Sequence, residues 1–480
     1  MFAGLGRREY VLIVLISLGA AVAVSFAYDR YAFRKKWTEV KAKIPAMSLY
    51  IFLNAAILHF FYITYTRTFE RQHDVIGFRN GKGIGQAALI EYLMEKGALP
   101  DFDPTTRWGF FQPLLHHIVA AVLLKVNLLR GMNYDAACET IQILTFIYSL
   151  VFIIYGFRIL RLMGLRNRAL HTGEALIALH PVLTLLSGSV NNDMMSHMFM
   201  VMAAYYVLKW YKRDTITDLC FTAAATGLSM MAKLSGVLIA PAAAFLMLWK
   251  LVDDIKNKGN VLNRIMQYIL FGIIVFPLGL FFPLRNLILF KVPVTFVPEV
   301  GEELTGHSIF SRIFDIRTRS PFAAMIKNGD SYDEFNIFLG MIKTGLTGEY
   351  DLSASNPYIT PFAWVLFLSG SILFIVDVIL FFRIFCRKDI IKEVPIRLFW
   401  VILILTGAVF MLKLMFSAPN FSSQDARYIA WIVVPAALLP GLILSDKPGG
   451  AADYFITGIS AIFCISSAAV YYVLGIPGMM

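Results

Sequence analysis

A few polar residues stand out in a sequence otherwise dominated by long apolar runs. Glu70-Arg71-Gln72-His73-Asp74 follows directly on one such run and sets a carboxylate beside an imidazole where hydrocarbon would end. A carboxylate there can take a proton from a hydroxyl arriving from water, or help hold a divalent cation. Spacing alone reads Glu70 and Asp74 more simply, as solvated loop charges. Pro100 is followed by Asp101-Phe102-Asp103, which has the look of a metal pair, although aspartate at such a place more often makes a turn. The run 112–117 holds Pro113, His116 and His117. Neighbouring helical positions point about 100° apart, so one imidazole is expected to line a site and the other to face lipid headgroups.

Cations sit in comparable places. Arg285-Asn286 and Arg427-Tyr428 fall at the ends of apolar runs, where a guanidinium fork suits phosphate oxygens. Lys233 and Lys413 lie near run ends as well; binding a phosphate and snorkelling to the interface explain them about equally well. Asn191-Asn192-Asp193 closes another run, and Asp377 lies inside one and calls for a buried partner. Cys138, Cys220, Cys386 and Cys464 are far apart, with no metal-ligand spacing. No metal set stands out; Asp74 and Asp193 are the residues a divalent ion would use.

The elements that must position these groups are membrane helices. The 480 residues are 58% hydrophobic and 16% charged, against about a quarter charged in a soluble domain. Apolar stretches of roughly 18 residues or more recur along the chain. The net charge of +11 is carried in short gaps between them, which is how orientation signals are placed; nucleic acid is not an expected partner. The expected spans are 11–27, 47–65, 139–160, 170–187, 194–210, 216–232, 236–251, 265–282, 362–382, 398–415, 429–444 and 455–474. The stretch 112–129 is read as an amphipathic helix along the outer interface, because crossing there would put the later basic gaps outside. The fold class is therefore an all-α polytopic membrane protein with about twelve transmembrane helices and interfacial helices in a large outer loop. Residues 1–65 form the first two helices, 66–138 an outer loop with the catalytic acid, 139–283 helices three to eight, 284–360 a long outer loop, and 361–480 the last four helices.

Taken in order, these motifs resemble the GT-C superfamily of glycosyltransferases, in the branch of protein O-mannosyltransferases and lipid A aminoarabinose transferases. The likeness runs from about Thr66 to Leu444. It rests on the acidic residue in the first large outer loop, the proline-bearing motif at 112–117, Asn191-Asn192-Asp193, Met231-Ala232-Lys233, Arg285-Asn286 and Arg427-Tyr428. This chain has a lone His73-Asp74 where relatives carry paired acids, and one extra span before that loop. The resemblance implies a GT-C-like fold and an enzyme that moves a sugar from a polyprenyl-phosphate donor to an acceptor hydroxyl, inverting the anomeric centre. Asp74 would be the base, with His73 and Asp193 beside it. Arg285, Asn286, Arg427, Tyr428, Lys233, His116 and His117 would bind substrate and phosphate. No cofactor is implied with certainty; a divalent metal ion is the one candidate. Glycan, lipid and protein all fit as acceptors. A multi-pass protein of the bacterial plasma membrane is favoured over one of the endoplasmic reticulum, with the site on the outer, periplasmic face. Three other readings stay open: a secondary transporter, which would carry charges or broken helices at mid-membrane, an O-antigen ligase or polymerase using a pyrophosphate-linked donor, and a non-catalytic assembly subunit, which would show the fold with an unlined pocket.

Overall fold

A computed structural model of the chain describes residues 6–34, 45–68, 77–296, 306–316, 335–348, 358–387, 390–446 and 449–477. The regular elements are helices: α1 (Arg7–Arg34), α2 (Ala46–Tyr65), α3 (Gly85–Lys96), α4 (Leu115–Leu129), α5 (Tyr134–Glu139), α6 (Gln142–Leu162), α7 (Asn167–Ala178), α8 (Pro181–Ser187) and α9 (Asp193–Arg213). They continue with α10 (Ile216–Ala232), α11 (Ala240–Lys256), α12 (Val261–Phe290), α13 (Ile309–Phe314), α14 (Ile337–Thr347), α15 (Thr360–Cys386), α16 (Val394–Ser417), α17 (Val433–Asp446) and α18 (Ala451–Leu474). Short 3₁₀ turns cover Pro104–Thr106, Leu234–Ile239, Phe421–Gln424 and Ala426–Ile432.

Each stretch expected to span is helical, but the expected twelve crossings are not all reached. Among the described residues nine helical segments are long and apolar enough to cross a membrane, and α7 with α8, bent by 43°, makes a tenth. The bend falls at His180-Pro181, where proline opens α8 and the His180 ring accepts from Val182 N at 3.3 Å. The shortfall is α9, which opens on Asp193 and closes on Lys212 and Arg213, and α10, only 17 residues long. Large apolar side chains stand exposed on α1, α12 and α15, among them Leu15, Ile273 and Ile375; in a membrane that surface faces lipid rather than water.

The bundle has two unlike ends. At one, loops are short and cross-linked by charge. Arg161 reaches Glu174 at 2.9 Å, Lys209 reaches Asp218 at 2.5 Å, Arg264 holds Asp214 and Asp254 at 2.6 Å each, and Arg168 pairs with Asp453. At the other end lie the larger connections and the candidate residues. Arg7 Nε donates to Pro477 O at 2.9 Å there, so α1 starts beside the end of α18, as the parity of the expected spans requires. Between residues 284 and 360, α12 runs on to Phe290 and α14 returns into the bundle, packing Ile337 and Leu346 in the main core.

A small apolar unit caps the site end. Leu89 and Ile90 of α3 and Ala120 and Leu124 of α4 form its core with Phe110 and Phe282. It depends on a close backbone crossing: Gly85 N donates to Trp108 O at 2.7 Å, and Gly109 has φ +90. A Cβ on Gly109 would lie 2.7 Å from Gly85 C. Gly109→Ala is expected to cost roughly 2–4 kcal/mol from strain and overpacking together. The check is hydrogen exchange of α3 and α4 in the purified protein; protection equal to wild type would show that the crossing is not tight.

A second close approach joins α10 to α12. A Cβ on Gly227 would lie 2.7 Å from Leu278 Cβ, and one on Gly279 would lie 2.8 Å from Met230 Sδ. Each glycine lets a side chain of the facing helix pack directly on its backbone, so the two helices approach closely.

Candidate functional site

Asp193 opens α9, and the residues leading to it are enclosed. Asn191, Asn192 and Asp193 are all about fully buried. Asn191 Oδ1 accepts from Asp193 N at 3.1 Å, while Asn192 Nδ2 donates to Ala232 O at 2.7 Å. The second bond ties the start of α9 to the end of α10. A carboxylate this deep needs a cation, and Lys233 supplies it: Nζ is hydrogen-bonded to Asp193 Oδ1, with side chains 14% and 2% exposed.

Lys233 reaches Asp193 because the helix breaks beneath it. Its backbone is extended (φ −152, ψ 134) between α10 and the 3₁₀ turn Leu234–Ile239. The turn folds back against α10, and a Cβ on Gly236 would lie 2.5 Å from Ser229 C, so only glycine lets the strands of chain lie together. Ser196 and Ser229 hydroxyls, 3.1 Å apart, fasten α9 to α10 one turn below.

The third wall is the turn that precedes α17. Asp425 caps it, accepting from Arg427 N at 2.9 Å, and also pairs with the Arg427 side chain at 3.1 Å. Thr344 of α14 accepts from Ala426 N at 3.0 Å, so α14 sets the height of the turn. Tyr428 is near both cations, with its ring centroid 4.7 Å from Lys233 Nζ and 5.1 Å from Arg427 Cζ. Each such contact contributes about 0.5–2 kcal/mol. His197, one turn after Asp193, donates to Arg427 O at 2.6 Å. Arg427, His197 and Lys233 all act on the Asp193 charge, and Asp193 in turn on His116.

The structure therefore brings together Asp193, Lys233, Arg427 and Tyr428, with His116 against them. His116 Nε2 donates to Val190 O at 2.8 Å, just before the Asn-Asn-Asp segment. His117 corrects an expectation. It is as buried as His116, bonded to Pro113 O at 3.2 Å and to the Gln86 amide, and does not face headgroups. The 100° between neighbours holds, but α3 covers the second direction. Burial holds both imidazoles below the usual range, His116 at about 4 and His117 at about 3, so both are neutral at pH 7.

Arg285 and Asn286 take a different place. Arg285 bonds Pro100 O and Asn286 Oδ1, on the side of the α3–α4 unit. Asp103 makes a turn, accepting from Thr105 N at 2.9 Å. Lys413 is exposed, and Asp377 is half-buried on α15, with no partner for Oδ1 among the described residues. His73, Asp74 and Glu70 lie outside the described residues. Among the described residues no group of three or more His, Cys, Asp or Glu side chains is arranged to hold a metal, and Asp193 is engaged by Lys233. Sequence reasoning missed His197 and Asp425. The Asp193/His197 spacing of four on one helix was the available signal for the first.

Residues 119–278 match the family described as dolichyl-phosphate-mannose-protein mannosyltransferase. The matched segment holds Asp193 and Lys233 and ends before Arg285. The match bears out the resemblance to GT-C glycosyltransferases. Among solved structures, the crystal structure of ArnT from Cupriavidus metallidurans bound to undecaprenyl phosphate is similar at TM-score 0.48 and 13% identity, over 89% of this chain and 76% of that one. No curated protein matches the chain.

Proposed function

We propose, taking the mannosyltransferase match over residues 119–278 as the premise, that this chain is a membrane glycosyltransferase that takes its sugar from a polyprenyl-phosphate donor. The observation that carries the reading is the Asp193–Lys233 pair beside Arg427 and Tyr428, at the bundle end with the larger connections. A donor that cannot leave the bilayer must be met where helices end, and two cations on one aromatic ring suit its phosphate.

In this reading Lys233 and Arg427 stabilise the negative charge that grows on the phosphate as the bond to the anomeric carbon breaks. Asp193 fixes the Lys233 ammonium, and Arg285 guards the neighbouring wall near Pro100. Asp74, nine residues beyond α2 in sequence, takes the proton from the acceptor hydroxyl. The hydroxyl oxygen forms the new glycosidic bond as the phosphate leaves with its electron pair, in one displacement that inverts the centre. His73 and Asn286 assist at the acceptor and donor sides. Neutral His116 and His117 shape the floor. The site faces the non-cytoplasmic side, since the short basic gaps lie at the opposite end.

The test is transfer by the purified chain in proteoliposomes, offered a labelled polyprenyl-monophosphate sugar or its diphosphate counterpart. Release of polyprenyl phosphate from the first alone is expected. Use of the diphosphate alone would favour the ligase reading. Ion-driven uptake of free sugar without donor cleavage would favour a transporter.

A further inference from the structure

The helix α13 and the residues just after it carry four large apolar side chains that no part of the described protein covers. Ile309, Phe310, Phe314 and Ile316 are each 62–68% exposed, and the Phe310 and Phe314 rings lie 4.6 Å apart. The helix is nevertheless firmly held. Arg312, 2% exposed, donates from Nη1 to Met415 O at 2.8 Å and lies over the Phe416 ring, which pins α13 to the end of α16. Asn336 Nδ2 donates to Ile313 O at 2.9 Å, while Ser308 caps the helix through Ser311 N at 3.1 Å. Ile313 packs against the main core.

The anchoring fixes which way the apolar face looks and at what height. It lies level with the end of a membrane-length helix. The surface beside it is already apolar: Leu412 and Val409 of α16 are 40% and 62% exposed, and Phe338 of α14 touches Phe374 of α15. Around the start of α15, Tyr358, Phe362 and Trp364 are exposed, an aromatic belt of the kind found where membranes meet water.

We propose that α13 lies in the bilayer, with Phe310 and Phe314 among the acyl chains just below the headgroups of the leaflet at the site end. The partner is a lipid surface, reached by aromatic side chains and continuous with the lipid-facing belt of α15 and α16. This seats the rim of the candidate site at a fixed depth. The inference does not depend on the sugar-transfer reading.

The experiment uses the full chain with Cys386 replaced by serine, since Cys386 is the exposed cysteine among the described residues. Phe314→Cys, and separately Phe310→Cys, is labelled with an environment-sensitive fluorophore and reconstituted in phosphatidylcholine vesicles. The Cys386→Ser chain without the new cysteine gives the background. Blue-shifted emission, quenched about twofold or more by lipid spin-labelled near the headgroup, is the expected result. Emission at the aqueous position would overturn it. So would blue-shifted emission indifferent to the spin label, which would mean that protein covers the face.

Discussion

Lys233→Met is expected to lower the rate of sugar transfer by about 10²–10³-fold, the loss seen when one preorganised charge donor is removed from a developing anion. It is also expected to destabilise the protein by about 3–5 kcal/mol, because Asp193 is left as a buried carboxylate without its cation. The two losses have different remedies. In Asp193→Asn/Lys233→Met no buried charge is left unpaired, so most of the lost stability should return while the rate stays low. Asp193→Asn alone keeps the ammonium, which still has Tyr428 and the 14% exposure of its side chain. That variant should fold well and lose less activity than Lys233→Met. Thermal unfolding of the four proteins in one detergent, together with turnover, completes the cycle. Additive stabilities within about 0.5 kcal/mol would show that the pair is not coupled, and a wild-type rate in Lys233→Met would remove the lysine from the reaction.

The second large effect is at Asp74. Asp74→Asn is expected to reduce kcat by about 10²–10⁴-fold, the usual worth of a positioned general base, while donor binding and thermal stability stay near wild type. The fall should be in kcat because the amide still fills the space but cannot accept the acceptor proton. Substituting His73 by alanine tests the neighbouring imidazole separately and should cost less. A near-normal rate in a folded Asp74→Asn protein would remove the base from the mechanism. Because Lys233 holds the donor phosphate in this account, donor binding separates the two: Lys233→Met should weaken it, while Asp74→Asn should leave it near wild type.

Much of the helical layout was legible because hydrocarbon imposes length. The stretches 11–27 and 362–382 needed only a run of apolar residues to declare α1 and α15. Less could be read where packing replaces lipid. α9 carries Asp193, Lys212 and Arg213 at its ends and α10 has 17 residues, so neither reaches the length and polarity of an ordinary span. α14, 11 residues inside a mainly polar stretch, gave no signal of the core position that it takes.

The site divides in the same way. Asp193, Lys233 and Arg427 were each visible as charges at span ends, but their meeting was not. Asp193 and Lys233 are 40 positions apart and pair because α9 and α10 pack as an antiparallel hairpin, with Asn192 bonded to Ala232 O. His117 was misplaced because helix periodicity gives directions and not neighbours; the covering came from α3 through Gln86. Arg285 looked equivalent to Arg427 in sequence, and its bond to Pro100 O sets it against the α3–α4 unit instead.

The contact between α10 and α12 at Gly227 and Gly279 leaves no gap as wide as a methylene chain. Under the proposed reading, a prenyl tail whose phosphate rested near Lys233 would have to pass through a different seam of the bundle, so the close packing of α10 on α12 would make its traffic one-sided.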